Sequence, residues 1–165
     1  MLRPYNQQKQ DNCKGGVSTR YGIIATMPGR EDIFQKAMND GHSAAWDQEW
    51  NKAAAAYRSA LQEMPDNPKA LNSLGLALYQ QGNFDESLQI YSRVAQITPQ
   101  DPSPMEKLAQ LLERTGHLKE AIDAAYKAAD LFLNQRDVDK AIENWVRVTS
   151  LEPEHVLAHS RLALA

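Results

Sequence analysis

The feature that most constrains this chain is a self-similarity with a period of about 34 residues. Trp50 falls on Phe84 and then on Leu118, Ala53 on Ser87 and Ala121, and Gly41 on Gly75 and Ala109. Tyr57 falls on Tyr91, Pro65 on Pro99, Pro68 on Pro102 and Gly82 on Gly116, while "GNFDES" lies over "GHLKEA". A unit this short cannot enclose a core of its own. It must bury its apolar side against the next copy, which makes the domain a stack of similar units.

Each unit divides into two helices. In the clearest one, Pro68 suits the first turn of a helix. Leu71, Leu74, Gly75 and Leu78 then share a face at three- and four-residue spacing. Gly82 can supply the left-handed residue that stops this helix. A second helix is predicted to start near Asp85, with Glu86 in its positive first turn. Leu88, Tyr91, Val94 and Ala95 form its stripe, and Thr98 and Pro99 end it. Gly75 and Ser87 are expected where two helices cross closely, with Phe84 and Tyr91 filling the space between hairpins.

This pattern resembles the tetratricopeptide repeat. The residues that carry the resemblance are Leu71, Leu74, Gly75, Leu78, Gly82, Phe84, Ser87, Tyr91, Val94 and Pro99, and it extends from about Glu31 to the C-terminus. It implies an all-α, right-handed solenoid of antiparallel helix hairpins, with three to four units and seven to eight helices. The expected units are 31–65, 68–99, 102–135 and 136–165, preceded by a flexible leader over 1–30. The first helix, Ile33 to Trp46, fits least well, with Asp40 where a large apolar residue is usual.

The frame breaks once. The second-helix pattern returns as "VDKAIENWVRVTSLEP", and its Pro153 comes earlier than two full repeats after Pro99 would place it. The shortfall is about 14 residues, one helix with its turn. Leu118 to Gln135 reads as one uninterrupted helix, about 27 Å long at 1.5 Å per residue. Its start has the second-helix pattern (Leu118, Ala121, Ala125, Ala128) and its end the first-helix pattern (Ala125, Ala128, Ala129, Phe132). Either this helix serves two units, and the solenoid bends or changes surface there, or an ordinary repeat has a slightly long second helix. The segment from Glu154 onward reads as a further first helix, with Val156, Leu157, Leu162 and Leu164 ready to pack on something.

Composition narrows the function. Charged residues make up 24% and apolar residues 42%, a globular balance. Residues 1–30 carry Arg3, Lys9, Lys14, Arg20 and Arg30 against Asp11, a net of +4; the whole chain carries −3, which leaves −7 for the body. An acidic body argues against generic nucleic-acid binding. The basic leader is expected to be solvated or folded back onto that body, unless translation starts at Met27. No run is long enough to span a membrane, Ile23 to Met27 is too short for a signal peptide, and Cys13 is the only cysteine. A cytoplasmic protein is the expectation.

No catalytic set, cofactor or metal site is expected. Nucleophile-elbow, phosphate-loop and paired-cysteine patterns are absent, and "CKGGVST" (Cys13 to Thr19) has the wrong spacing for phosphate. His155 and His159 have a zinc-compatible spacing but no clear third ligand, so they read as surface or packing residues. The resemblance instead points to the concave face, where first helices hold peptides or partner helices. The positions that transfer are Met38, His42, Ala45 and Trp46, then Lys69, Asn72, Leu76, Tyr79 and Gln80, then Glu106, Gln110, Glu113 and Arg114. Met38, Trp46 and Tyr79 would be the anchors. One subfamily grips a C-terminal carboxylate with a Lys/Asn/Arg clamp. The corresponding places here hold Met38 or Asn39, His42, Ser73, Ser103 and Lys107, of which only Lys107 suits, so chaperone-tail binding is not expected. The expected function is a module that binds a peptide or protein partner. The alternatives are a scaffold that self-associates into a homo-oligomer through its C-terminal helix, and, in a different class, an enzyme or zinc protein.

Overall fold

The computed structural model describes residues 28–164. These form eight α-helices: α1 (Pro28–Trp46), α2 (Trp50–Glu63), α3 (Pro68–Gln80), α4 (Phe84–Ile97), α5 (Pro102–Arg114), α6 (Leu118–Asn134), α7 (Val138–Leu151) and α8 (Val156–Leu162). Each helix packs on the next along the chain, in an all-α helical-repeat stack. α1 begins at Pro28, so the helical domain starts before the expected Glu31. Residues 1–27 of the expected leader, with Cys13, the Cys13–Thr19 stretch and Met27, lie outside the described residues.

Local chemistry sets the boundaries. The Asn67 side chain accepts from the backbone N–H groups of Lys69 and Ala70, and Asp101 from Ser103, each just ahead of a proline in the first turn. The other end of these helices is a left-handed turn repeated four times. Its central residues are Gln48 (φ 60°), Gly82 (78°), Gly116 (83°) and Arg136 (62°). Each turn has the same two hydrogen bonds. The Gly82 N–H donates to Tyr79 C=O and the Asn83 N–H to Leu78 C=O; the Arg136 N–H donates to Leu133 C=O and the Asp137 N–H to Phe132 C=O.

Two of these turns therefore hold a side chain in a conformation that favours glycine. Arg136→Gly is expected to stabilise the fold by about 0.5–1 kcal/mol, the difference between roughly 1–2 kcal/mol of left-handed strain and glycine's larger chain entropy. Gln48→Gly is expected to behave alike. Urea unfolding of both variants checks this.

The small residues have a specific job. A Cβ at Gly75 would lie 2.9 Å from two ring atoms of Tyr91, and one at Gly41 would lie 2.5 Å from Tyr57 Cε1. The glycine of α1 and that of α3 thus each seat the tyrosine sixteen positions later on the following helix. Ser87 is buried beside this contact and donates its hydroxyl hydrogen to the Gly75 carbonyl, 2.8 Å away. Burial pushes the Tyr91 phenol up to about 12, and burial also raises Tyr57, partly offset by a hydrogen bond with Ser73. The folded state holds the Tyr91 proton more tightly than the unfolded chain, so its contribution is complete below the ordinary value of 10.0 and is lost as pH rises toward about 12; Tyr57 acts in the same direction. Denaturant midpoints should fall across that interval, and Tyr91→Phe should flatten the fall.

α6 runs unbroken from Leu118 to Asn134. It starts after the Gly116 turn, as α4 starts after Gly82. Second helices end differently from first helices: Met64, Thr98 and Glu152 keep a negative φ (−132°, −121° and −133°), and their N–H groups donate to the carbonyls of Ala60, Val94 and Val148. α6 has no such ending; it closes on the left-handed turn at Arg136, as α1, α3 and α5 close on theirs. It enters as a second helix and leaves as a first. Its buried alanines follow suit. Ala125 packs in the cluster of Leu108, Ala109 and Leu111 from α5, while Ala128, Ala129 and Phe132 pack with Ala141 and Trp145 of α7. Ala129 stands sixteen positions before Trp145, as Gly75 stands before Tyr91.

The sharing changes what α7 presents. Its sequence has the second-helix pattern, yet it lies beside α5 as α5 lies beside α3. Arg147 Nη1 is 2.5 Å from Glu113 Oε2, and Arg114 Nη1 is 3.1 Å from the Tyr79 hydroxyl. A second-helix surface thus continues the row of first helices.

Candidate functional site

The first helices α1, α3 and α5 form one row of the stack, the face that the resemblance makes the inner one. Two cavities open between its helices. The one between α1 and α3 is about 350 Å³ and is walled by His42, Ala45, Trp46 and Trp50 on one side and Ser73, Leu76 and Ala77 on the other, with Tyr57 beneath. The His42 and Tyr57 rings meet edge to face at 5.6 Å. The second cavity lies between α3 and α5, measures about 170 Å³, and is lined by Leu76, Tyr79, Gln80, Lys107 and Gln110 over Tyr91 and Leu111. Leu76 borders both.

Met38 apart, the transferred positions divide into three groups. His42, Ala45, Trp46 and Leu76 come together at the first cavity, and Leu76, Tyr79, Gln80 and Gln110 at the second. Trp46 is 89% exposed and Leu76 45% exposed, so both present apolar surface to solvent. Lys69, Asn72 and Glu106 border neither cavity. Glu113 and Arg114 are engaged internally. Glu113 pairs with Arg147, and the Arg114 guanidinium lies 5.0 Å from the Phe84 ring centre and 5.5 Å from that of Tyr79 while donating to the Tyr79 hydroxyl. Arg114 holds Tyr79 in place.

Met38 needs correcting. It is 5% exposed and belongs to the core with Phe34, Ala37, Ala53 and Tyr57, so it is not available as a surface anchor. The cavity linings also include residues outside the expected set: Ala77, Tyr57, Tyr91 and Leu111 from the core, and Trp50, Ser73 and Lys107 at the walls. Ser73 and Lys107 stand one repeat apart on the same inward position, a signal present in the sequence, and Trp50 starts a second helix but turns toward the first cavity. Lys107 Nζ donates to Gln110 Oε1 at 3.3 Å.

His155 and His159 do not converge on a metal. The Ala158 N–H donates to His155 Nδ1, which caps α8, and His159 Nε2 lies 2.7 Å from the Pro153 carbonyl. Among the described residues, no three His, Cys, Asp or Glu side chains are grouped to hold an ion, and no helix is long and apolar enough to cross a membrane.

A family model for the tetratricopeptide repeat matches residues 41–102 and 126–165. The chain belongs to the tetratricopeptide repeat family. The second match begins inside α6, where the frame of turns has that helix acting as the first of a new repeat. Over 165 aligned residues the chain is 25% identical to protein bimA of Emericella nidulans, covering 90% of this chain and 20% of the relative. Over 150 residues it is 26% identical to the TPR repeat-containing thioredoxin TTL4 of Arabidopsis thaliana, covering 91% and 18%. The chain thus spans about a fifth of the length of these curated relatives. Among solved structures it is similar in fold to PcrH, crystallised in complex with the chaperone binding region of PopD, with a TM-score of 0.67, 19% identity, and coverage of 73% of this chain and 92% of that one.

Proposed function

We propose that this tetratricopeptide repeat domain is a non-enzymatic, cytoplasmic interaction module that holds a segment of a partner protein along its inner face. The observation that carries this reading is Leu76, half-exposed on α3 between two cavities, with Trp46 open to solvent beside the larger one. Burying an aromatic and a leucine supplies affinity, and His42, Ser73, Gln80, Lys107 and Gln110 around them supply hydrogen bonds that orient the segment. A protein of the same fold, PcrH, is found with a region of PopD bound, which supports a protein partner.

Affinity capture from native lysate tests this. The native chain is run beside a Trp46→Ala/Leu76→Asp variant; both side chains are exposed enough for the fold to tolerate the change. A protein held by the first and lost from the second supports the inner face. A partner retained equally by both sinks it.

A second reading has its own observation. Val156, Leu157 and Leu164 at the end of the stack are 76%, 61% and 85% exposed. An apolar end of this kind suits self-association. Light scattering at two concentrations decides: a monomer at both removes this reading.

A further inference from the structure

A third cavity lies away from the inner face, between the second helices α4 and α6. It measures about 400 Å³. Its floor is α5, through Met105, Leu108 and Leu112, and its walls include Leu88 and Ser92 of α4 and Glu120, Asp123, Ala124 and Lys127 of α6.

The preceding crevice, between α2 and α4, is spanned by two ion pairs. Arg58 of α2 reaches Glu86 of α4 with Nη2 at 2.7 and 2.9 Å from the two carboxylate oxygens. Arg93 of α4 reaches Asp66 in the turn after α2, at 2.6 and 3.1 Å. The floor beneath them, Leu71, Leu74 and Leu78, is buried.

One repeat later each of these ion pairs has lost one member. Arg58 becomes Ser92 opposite Glu120, and Asp66 becomes Gln100 opposite Lys127. No ion pair joins Glu120, Asp123 or Lys127 to any other described residue. Ile90, which packs against the first core, becomes Ala124. The floor opens with the walls: Met105 and Leu112 are half-buried where Leu71 and Leu78 are fully buried.

We propose that this crevice is a second docking site, on the opposite side of the stack from the inner face. It takes an amphipathic helix of a partner protein. The helix presents a basic residue to Glu120 and Asp123, an acidic residue to Lys127, and apolar side chains between them to Leu108 and Leu112. Glu120 and Lys127 are seven residues apart on α6, about 10.5 Å, which is the span of two turns of a facing helix. The apolar floor supplies the affinity, since exposed ion pairs contribute little. The unmatched charges, Glu120 and Asp123 at one end and Lys127 at the other, select the partner and its direction.

The probe is a synthetic, fluorescently labelled amphipathic peptide with Arg and Glu two helical turns apart and leucines between, followed by fluorescence anisotropy. The native chain is expected to bind it saturably. Ser92→Arg with Gln100→Asp restores both missing partners, so it should close the crevice and weaken binding about tenfold or more. Lys127→Glu should also weaken binding, and a peptide with Lys in place of its Glu should bind that variant better than the original does. That rescue separates a docking effect from misfolding. Leu76→Asp on the inner face should leave this binding unchanged. Absence of saturable binding, equal binding to the Ser92→Arg/Gln100→Asp chain, or no rescue by the Lys peptide would overturn the proposal.

Discussion

Trp145→Ala is expected to destabilise the domain by about 3–5 kcal/mol, enough to remove a large part of the stability of a domain this size. Trp145 is the largest fully buried side chain among the described residues. It joins α7 to the C-terminal half of α6, packed with Ala128, Ala129, Phe132 and Ala141. The three alanines are too small to close over a deleted indole, so the cavity would persist. Trp145→Phe should cost less. It keeps an aromatic ring, and it removes an indole N–H that is buried without a partner among the described residues. Urea unfolding of the three chains gives the ranking. A loss below about 1 kcal/mol for Trp145→Ala would mean that α7 is not anchored on α6.

Gly75→Val should be the other severe change, costing about 1–3 kcal/mol or more from overpacking alone. The added Cβ would enter at 2.9 Å from the Tyr91 ring, and that ring is itself buried between α3, α4 and α5. The tyrosine cannot leave without opening a cavity. Combining Gly75→Val with Tyr91→Ala should therefore cost less than the sum of the two changes, because the ring that clashes is gone. Gly82 has nothing within 4 Å of its added Cβ. Its requirement is the positive φ alone, so Gly82→Ala should cost less than Gly75→Val.

Much of the fold is legible in the sequence because steric demands recur in it. Gly41, Gly75, Gly82 and Gly116, with the prolines at 68 and 102, mark the close contacts and helix ends directly. The turns at Gln48 and Arg136 are not legible this way. Both adopt the glycine conformation without glycine, held by hydrogen bonds that the chain frame imposes. The dual role of α6 leaves a trace in the spacing of prolines, and the structure adds the reason it works. Ala125 and Ala129, one turn apart, each provide the small surface that one neighbour needs.

The inner face is harder to read. Met38 aligns with Asn72 and Glu106, a position on the border between groove and core. The two polar residues stay half-buried there, while a flexible methionine sinks into the apolar side. Arg114 looks free in the sequence because its partners, Tyr79 and Phe84, lie on neighbouring helices. The crevice between α4 and α6 is a matter of missing partners. Glu120 and Lys127 become informative only when Glu86 and Arg93 are seen paired.

The inner-face assignment is tested most directly by photo-crosslinking from single positions. A benzophenone side chain is placed at Leu76, and in separate chains at Gln89 and Gln96, which are exposed on the second helix α4. Each chain is irradiated in native lysate. A protein crosslinked from position 76, absent from positions 89 and 96, and lost when Trp46 is changed to Ala is the expected result. Equal crosslinking from all three positions, or crosslinking from α4 alone, would contradict a partner seated between α1, α3 and α5.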